Sequence, residues 1–158
     1  LHRLQLTRVP APLAVSLGDP AGVGAELIAA AWARRGIAGL APFFVVGGAT
    51  VLAAAAKSRG LTVEIARIAR PVDALAAFET ALPVFGDDDC EWTPGQPSAA
   101  GARLASYSLE RAAGLALAGA ASAIVTAPVA KTELAKIGFH YPGQTEFLAH
   151  VCGRPSQD

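Results

Sequence analysis

Methionine is absent from this 158-residue chain, and charged and aromatic residues make up only 16% and 6% of it. The 13 basic and 13 acidic residues give a formal net charge of +0. A nucleic-acid-binding protein usually carries an excess or a cluster of Lys and Arg, so this balance excludes nucleic acid as the expected partner. No apolar run approaches the roughly 18 uninterrupted residues that span a bilayer, so we expect no membrane partner.

Cysteine and histidine are also scarce. Cys90 and Cys152 lie far apart, outside any CxxC or Cys/His spacing. His140 and His150 have no matched ligand spacing, which favours core or surface roles. These patterns predict two reduced thiols in a cytoplasmic protein and no metal site within this chain. The absent methionine and the Leu1 start lead us to expect a piece of a longer protein.

Apolar residues make up 53% of the chain, and short apolar runs alternate with helical patterns. Strands are predicted over residues 13–17, 42–46, 62–68, 82–85 and 122–126. Helices are predicted over residues 25–35, 49–59, 99–119 and 145–151, with a further helical stretch ending at 137. Ser98 is the predicted N-cap of the long helix that ends near residue 119. Continuous apolar strands between helices indicate a three-layer αβα fold of the α/β class with a mostly parallel sheet. Ligands of such sheets bind at the carboxyl ends of the strands.

The first motif suited to binding or catalysis is Gly18–Glu26, which follows the first strand and begins a helix. Backbone N–H groups of such a turn suit an anion, and a purely structural turn is the alternative. The spacing is neither GxGxxG nor a Walker loop, so neither nucleotide fingerprint applies. Asp19 has two possible roles, as a cap of the helix or as a ligand for a hydroxyl group.

The second motif, Thr126–Lys131, also leads from a strand into a helix. Lys131 is suited to reach a phosphate or carboxylate as a point charge, and a solvated helix lysine is the alternative.

The third motif is Tyr141–Phe147, in which Gly143 allows a bent backbone and Gln144 and Thr145 offer neutral donors at a helix start. A hydroxyl together with backbone N–H groups can bind a phosphate there. The alternative is that Thr145 caps its own helix.

A polar loop over residues 86–98 contains three consecutive aspartates, Asp87–Asp89. Such a cluster can attract a cation, but a solvated acidic loop is the favoured interpretation.

The three motifs, in this order, resemble those of the 4-hydroxythreonine-4-phosphate dehydrogenase family of vitamin B6 biosynthesis. That family has a Gly-(Asp/Glu)-Pro-Ala-Gly-(Ile/Val)-Gly-Pro-Glu turn, which Gly18–Glu26 matches except for Ala25 in place of the proline. Its Thr-(Ala/Gly)-Pro-x-x-Lys stretch corresponds to Thr126–Lys131. Its Pro-Gly-His-Thr-Glu-(Phe/Tyr) stretch corresponds to Pro142–Phe147, with Gln144 in place of the histidine.

The resemblance implies the N-terminal half of an oxidoreductase similar in fold to the isopropylmalate and isocitrate dehydrogenases. Family members oxidise 4-phosphohydroxy-L-threonine with NAD or NADP, and loss of carbon dioxide then gives 3-amino-2-oxopropyl phosphate. A divalent metal (zinc, magnesium or cobalt) acts as the Lewis acid. The resemblance further implies a cytoplasmic homodimer and a small phosphorylated substrate.

The resemblance also implies roles for particular residues. The His-Thr pair of the family contacts the substrate, so Gln144 and Thr145 are expected to bind it. Glutamine can still donate to a phosphate oxygen, but it cannot carry a positive charge or shuttle a proton at neutral pH. Five residues are expected to line the cleft or the cofactor: Gly18, Asp19, Gly22, Gly24 and Lys131.

The family's metal-binding histidines and remaining phosphate ligands belong to the half that would follow Asp158. We therefore expect the 158-residue chain alone to be inactive. Residues 1–125 are expected to form most of a first domain, and residues 126–158 the start of a second. Two alternatives stay open: a dehydrogenase of this family acting on another hydroxy acid or diol, and a phosphate-binding or acyl-phosphate transferase domain without redox chemistry.

Overall fold

The computed structural model describes residues 10–153, so expectations about residues 1–9 and 154–158, including the outer ends of both predicted domains, lie outside the described residues. Five strands form one sheet: β1 (Leu13–Ser16), β2 (Phe43–Val46), β3 (Ile65–Ile68), β4 (Leu82–Phe85) and β5 (Ile124–Thr126). Their order across the sheet is β3-β4-β2-β1-β5. Every pairing is parallel, so the predicted parallel α/β fold is confirmed.

Helices cover both faces of this sheet. They are α1 (Gly24–Ala33), α2 (Arg35–Ala38), α3 (Ala49–Ser58), α4 (Ala74–Ala77), α5 (Ala99–Leu117), α6 (Lys131–Lys136) and α7 (Gln144–Val151). Helices α1 and α3 pack on one face, whereas α4 and α5 pack on the other. The last two helices, α6 and α7, pack against α5.

The side chains of the central strands alternate between the two faces. Val15 of β1 and Val45 of β2 belong to the core beneath α1 and α3. Ala14 and Phe44, one residue earlier in each strand, belong to the core beneath α5. Because both faces are covered, these strands are continuously apolar in sequence, as the predicted sheet requires.

The predicted elements correspond closely to the observed ones. Strand β4 has the predicted bounds, whereas β3 begins three residues later than predicted, at Ile65. The predicted N-cap of α5 is confirmed, because Ser98 Oγ accepts a hydrogen bond of 3.0 Å from the Gly101 N–H. No helix formed by the described residues is long and apolar enough to cross a bilayer.

Three short helical segments were not predicted. Helix α1 ends at Ala33 rather than Arg35, and the separate helix α2 follows it. A 3₁₀ turn over Pro71–Asp73 leads directly into α4. Each segment contains at most four residues, about one turn, which is too short to give a helical hydrophobic period.

The final helix is anchored by aromatic packing. Phe147 of α7 is buried against Leu109 and Ala113 of α5. Phe139 and Tyr141, from the preceding loop, pack around the Phe147 ring at centroid distances of 5.7 and 5.3 Å. This cluster fixes the N-terminus of α7 close to the carboxyl end of β5.

Candidate functional site

The carboxyl ends of β1 and β5 lie side by side and are followed by two of the three sequence motifs. The chain leaves β1 towards α1 on one face of the sheet and leaves β5 towards α6, which packs with α5 on the other. Such a point, where neighbouring strands lead away in opposite directions, is the usual ligand-binding crevice of an open parallel sheet.

Gly18 joins the turn after β1 to the loop after β5. Its φ of 74° lies in the left-handed region, and a Cβ at this position would lie 2.4 Å from the Pro128 carbonyl oxygen. The next residue, Asp19, donates its backbone N–H to the same oxygen over 2.8 Å. Only glycine permits this close approach, so the two loops form one packed unit.

The other glycines and Asp19 shape the same turn. A Cβ on Gly24 would lie 2.7 Å from the Leu17 carbonyl oxygen and 3.0 Å from Ala127 Cβ. Asp19 is 9% exposed, and its Oδ1 accepts from the Ala21 N–H over 3.0 Å. Gly22 donates its N–H to the Asp19 carbonyl. Asp19 therefore stabilises the turn itself rather than capping α1, whose N-cap Val23 has no side-chain hydrogen bond.

Gln144 connects the third motif to the second. Its Nε2 donates to the Ala127 carbonyl oxygen over 3.2 Å, while its Oε1 is buried and has no partner among the described residues. Ala127 is also the residue against which Gly18 and Gly24 pack. All three motifs therefore meet around Ala127, although they are separated in sequence.

Lys131 lies beside the N-terminus of α7. Its Nζ is 3.4 Å from the position that a Cβ on Gly143 would take, and the residue is exposed. Gly143 is the N-cap of α7 and provides no side-chain hydrogen bond to the helix. The first N–H groups of a helix and a neighbouring ammonium both attract an anion. The carboxylate of Glu146 lies on the same side and balances part of this charge.

Thr145 occupies the second position of α7 and is exposed. It is not the N-cap, since Gly143 takes that position, so the alternative in which Thr145 caps its own helix is excluded.

Two groups near these loops are poorly suited to ionise. Burial, followed by the charges of Asp89 and Asp19, raises the pKa of the Cys90 thiol. Burial and the nearby Asp88 likewise raise the pKa of the Tyr107 hydroxyl. Both groups are therefore protonated at neutral pH, which argues against either one as an anionic nucleophile or base.

The described residues do not provide a complete cofactor site. Within residues 10–153 no group of three or more His, Cys, Asp and Glu side chains is arranged to hold a metal ion. The positions where Gly18 and Gly24 would carry side chains are filled by this chain's own atoms. Gly18 and Gly24 therefore leave no cradle for a dinucleotide pyrophosphate of the GxGxxG kind.

One residue of this region was missed from the sequence. Ser108 of α5 is fully buried and binds the ends of both β1 and β2. Its only sequence signal is its place on the buried face of α5, where alanine, glycine and leucine otherwise predominate.

The open parallel sheet and the paired loops at its carboxyl edge define a doubly wound α/β domain. Comparison with solved structures agrees with this class. The 4-hydroxythreonine-4-phosphate dehydrogenase of Klebsiella pneumoniae superposes with a TM-score of 0.77 at 37% identity, over 89% of this chain and 44% of that one. A terephthalate 1,2-cis-dihydrodiol dehydrogenase of Burkholderia xenovorans gives 0.65 at 25% identity, over 92% and 41%.

The family model described as pyridoxal phosphate biosynthetic protein PdxA matches residues 39–157. The 4-hydroxythreonine-4-phosphate dehydrogenase of Erythrobacter litoralis is 54% identical over 144 residues, covering 91% of this chain and 43% of the relative. That of Zymomonas mobilis is 45% identical over 148 residues, covering 93% and 43%. The chain therefore belongs to the PdxA family, and it spans less than half the length of these relatives.

Proposed function

We propose that this chain is the N-terminal part of an NAD(P)- and divalent-metal-dependent dehydrogenase. The enzyme oxidises 4-phosphohydroxy-L-threonine, and loss of carbon dioxide then yields 3-amino-2-oxopropyl phosphate. The observation that carries this proposal is the convergence of all three family motifs on Ala127, through the Gln144 hydrogen bond and the Gly18 and Gly24 contacts. The names of the relatives support dehydrogenation of 4-hydroxythreonine 4-phosphate. The cofactor, the metal and the loss of carbon dioxide are what the family resemblance implies.

Within this proposal, the N-terminus of α7 receives the substrate phosphate. Lys131 supplies positive charge beside the helix end, and exposed Thr145 supplies a hydroxyl donor. Charge-assisted hydrogen bonds of this kind are about twice as strong as neutral ones. Gln144 fixes the position of the helix by donating to the Ala127 carbonyl, and as the first residue of α7 it is assigned a share in substrate binding.

The Gly18–Gly24 turn, including Asp19 and Gly22, lines the proposed cleft and holds the loop after β5 in place. The bound metal would supply Lewis-acid stabilisation of the alkoxide. Its ligands are assigned to the part of the enzyme that the longer relatives possess and this chain does not contain. A cytoplasmic homodimer with a second domain starting near residue 126 completes the proposal.

A dehydrogenase of the same family acting on another hydroxy acid or diol is the second candidate. Two observations favour it. Gln144 is neutral where the family motif has histidine, and the fold also superposes on a dihydrodiol dehydrogenase.

The test uses the longer enzyme that contains this chain, with NAD or NADP and a divalent cation, and follows cofactor reduction by absorbance. Lys131→Gln is expected to raise KM for 4-phosphohydroxy-L-threonine about tenfold or more, because one charge-assisted hydrogen bond to the substrate is lost. Lys136→Gln is the matched control, since Lys136 lies on the same helix and pairs with Glu133 at 2.7 Å. Its KM should be unchanged.

Equal effects of the two lysine variants would contradict the phosphate assignment. A panel of phosphorylated and unphosphorylated hydroxy acids and diols distinguishes the two candidate functions. If the wild-type enzyme reduced the cofactor only with an unphosphorylated compound, the second candidate would replace the first. No reduction with any compound would contradict both and favour a phosphate-binding domain without redox chemistry.

A further inference from the structure

Ser108 is a fully buried hydroxyl at the carboxyl edge of the sheet, between β1 and β2. Its Oγ accepts a hydrogen bond of 2.8 Å from the Leu17 N–H. The same hydroxyl donates to the Val46 carbonyl oxygen over 2.7 Å. Leu17 immediately precedes the Gly18 turn, and Val46 is the last residue of β2, so one side chain of α5 binds both strand ends.

The hydroxyl takes the place of a regular backbone hydrogen bond between β1 and β2. In the β1–β2 ladder Leu13 pairs with Phe43, and the Leu13 N–H donates to the Pro42 carbonyl over 3.0 Å. Ser16 pairs with Val46 in the same register, but alternate N–H groups of β1 face alternate neighbours, and the Ala14 N–H donates to the Ala123 carbonyl beside β5. The N–H groups of residues 13, 15 and 17 therefore face β2. This pattern would direct the Leu17 N–H to the Val46 carbonyl. Instead, Ser108 Oγ lies between them and holds the two strand ends apart.

After Ser16, the backbone hydrogen bonds between the segment that follows β1 and a neighbouring strand are made with the segment that follows β5. The Ala127 N–H donates to the Ser16 carbonyl over 3.2 Å, and the Asp19 N–H donates to the Pro128 carbonyl over 2.8 Å. The chain after β1 therefore diverges from β2 and follows the loop after β5. That loop is the one to which Gln144 binds.

We propose that Ser108 is a positioning residue, which separates the ends of β1 and β2 and thereby places the Gly18–Gly24 turn against the Ala127 loop. The proposal rests on the proposed function, because it assigns this junction to the active-site cleft. Ser108 acts through the Leu17 backbone and touches no reacting group.

A serine is suited to this place for two reasons. It must accept from an N–H and donate to a carbonyl at once, which a hydroxyl can do. The hydroxyl must also be carried on a short side chain, because α5 packs directly on β1 and β2; threonine is the other residue type that carries its hydroxyl on Cβ. Alanine would leave the Leu17 N–H and the Val46 carbonyl without partners, and buried backbone groups that lack partners tend to pair with each other.

The structural arm of the test compares crystal structures of wild-type and Ser108→Ala protein. We expect the variant to close the gap with a direct bond from the Leu17 N–H to the Val46 carbonyl, of about 2.9 Å. Gly18 should then move away from Pro128. A direct bond already present in the wild type, or an unchanged gap in the variant, would overturn the proposal.

The functional arm measures kcat, KM and thermal unfolding of the longer enzyme. A displacement of about an ångström can cost about 100-fold in rate, so Ser108→Ala should lower kcat/KM at least about tenfold. Ser108→Thr keeps the hydroxyl and should restore most of the activity. Ser106→Ala is the matched control, since Ser106 is a half-buried serine on the same helix whose hydroxyl donates to the Glu110 carboxylate over 2.7 Å.

The outcomes separate the two proposals. If Ser108→Ala unfolds at a lower temperature but keeps its kcat/KM, the role of Ser108 is merely structural. The same conclusion follows if Ser108→Thr folds but is as inactive as Ser108→Ala. If the wild-type enzyme shows no turnover, the proposed function fails. The strand separation in the two crystal structures then still decides whether Ser108 holds β1 and β2 apart.

Discussion

At the scale of single residues, the geometry of the site depends on a glycine that has no side chain. Gly18 has no Cβ, and the Pro128 carbonyl oxygen takes the space where one would lie. The turn after β1 can approach the loop after β5 this closely only because both the backbone angle and the lack of a side chain permit it. This explains the glycine on steric grounds, without invoking a ligand.

Gly18→Ala is expected to destabilise the fold by about 3 kcal/mol or more, because left-handed strain adds to overlap with Pro128. Gly60→Ala is the matched control: Gly60 has a φ of 67° but nothing within 4 Å of its Cβ position. Gly60→Ala should lower the free energy of unfolding only by the backbone strain, about 1 to 2 kcal/mol. Denaturant unfolding of both variants measures the difference, and equal losses would show that the overlap is relieved at no cost.

At the scale of elements, the acidic loop between β4 and α5 contributes to the structure. The predicted solvated loop is confirmed for Asp87, whose side chain is fully exposed. Asp89 has a different role, because its Oδ2 accepts from the Thr50 N–H over 2.8 Å in the first turn of α3. The N-cap of that helix is Gly48, which has no side chain to offer, so a carboxylate from a distant loop takes its place.

Asp89→Ala should destabilise the protein by about 1 to 2 kcal/mol, the usual cost of removing a helix cap. Asp87→Ala should change the free energy of unfolding by no more than about 0.5 kcal/mol, since its pair with Arg67 is exposed and 3.5 Å long. Urea unfolding of the two variants provides the comparison. An equal effect of both substitutions would refute the capping role of Asp89.

At the scale of the whole molecule, the sheet is only partly covered at its β5 edge. An apolar groove of about 350 Å³ runs between α1 and β5. Leu27 and Val125, which line it, are 58% and 48% exposed. The relatives are more than twice as long as the stretch they share with this chain. Among the described residues, no cluster of His, Cys, Asp and Glu side chains is arranged to hold a metal ion.

The 158-residue chain by itself is therefore expected to show no cofactor reduction with 4-phosphohydroxy-L-threonine, NAD or NADP and a divalent cation. The physical reason is that a metal-dependent oxidation needs ligands that the described residues do not assemble. The same assay on the longer enzyme is the positive control. Turnover by the short chain would show that it contains a complete site.

The sequence by itself determined the kind and order of the main elements, because hydrophobic periodicity and caps such as Ser98 are local signals. It also carried the three motifs that resemble one family. Only the tertiary structure decided which atoms meet, such as Gln144 with Ala127 and Ser108 with Leu17, which is 91 residues away. Bonds between distant residues depend on how helices pack on the sheet. A buried serine on an alanine-rich helix resembles any small core residue until its partners are in place.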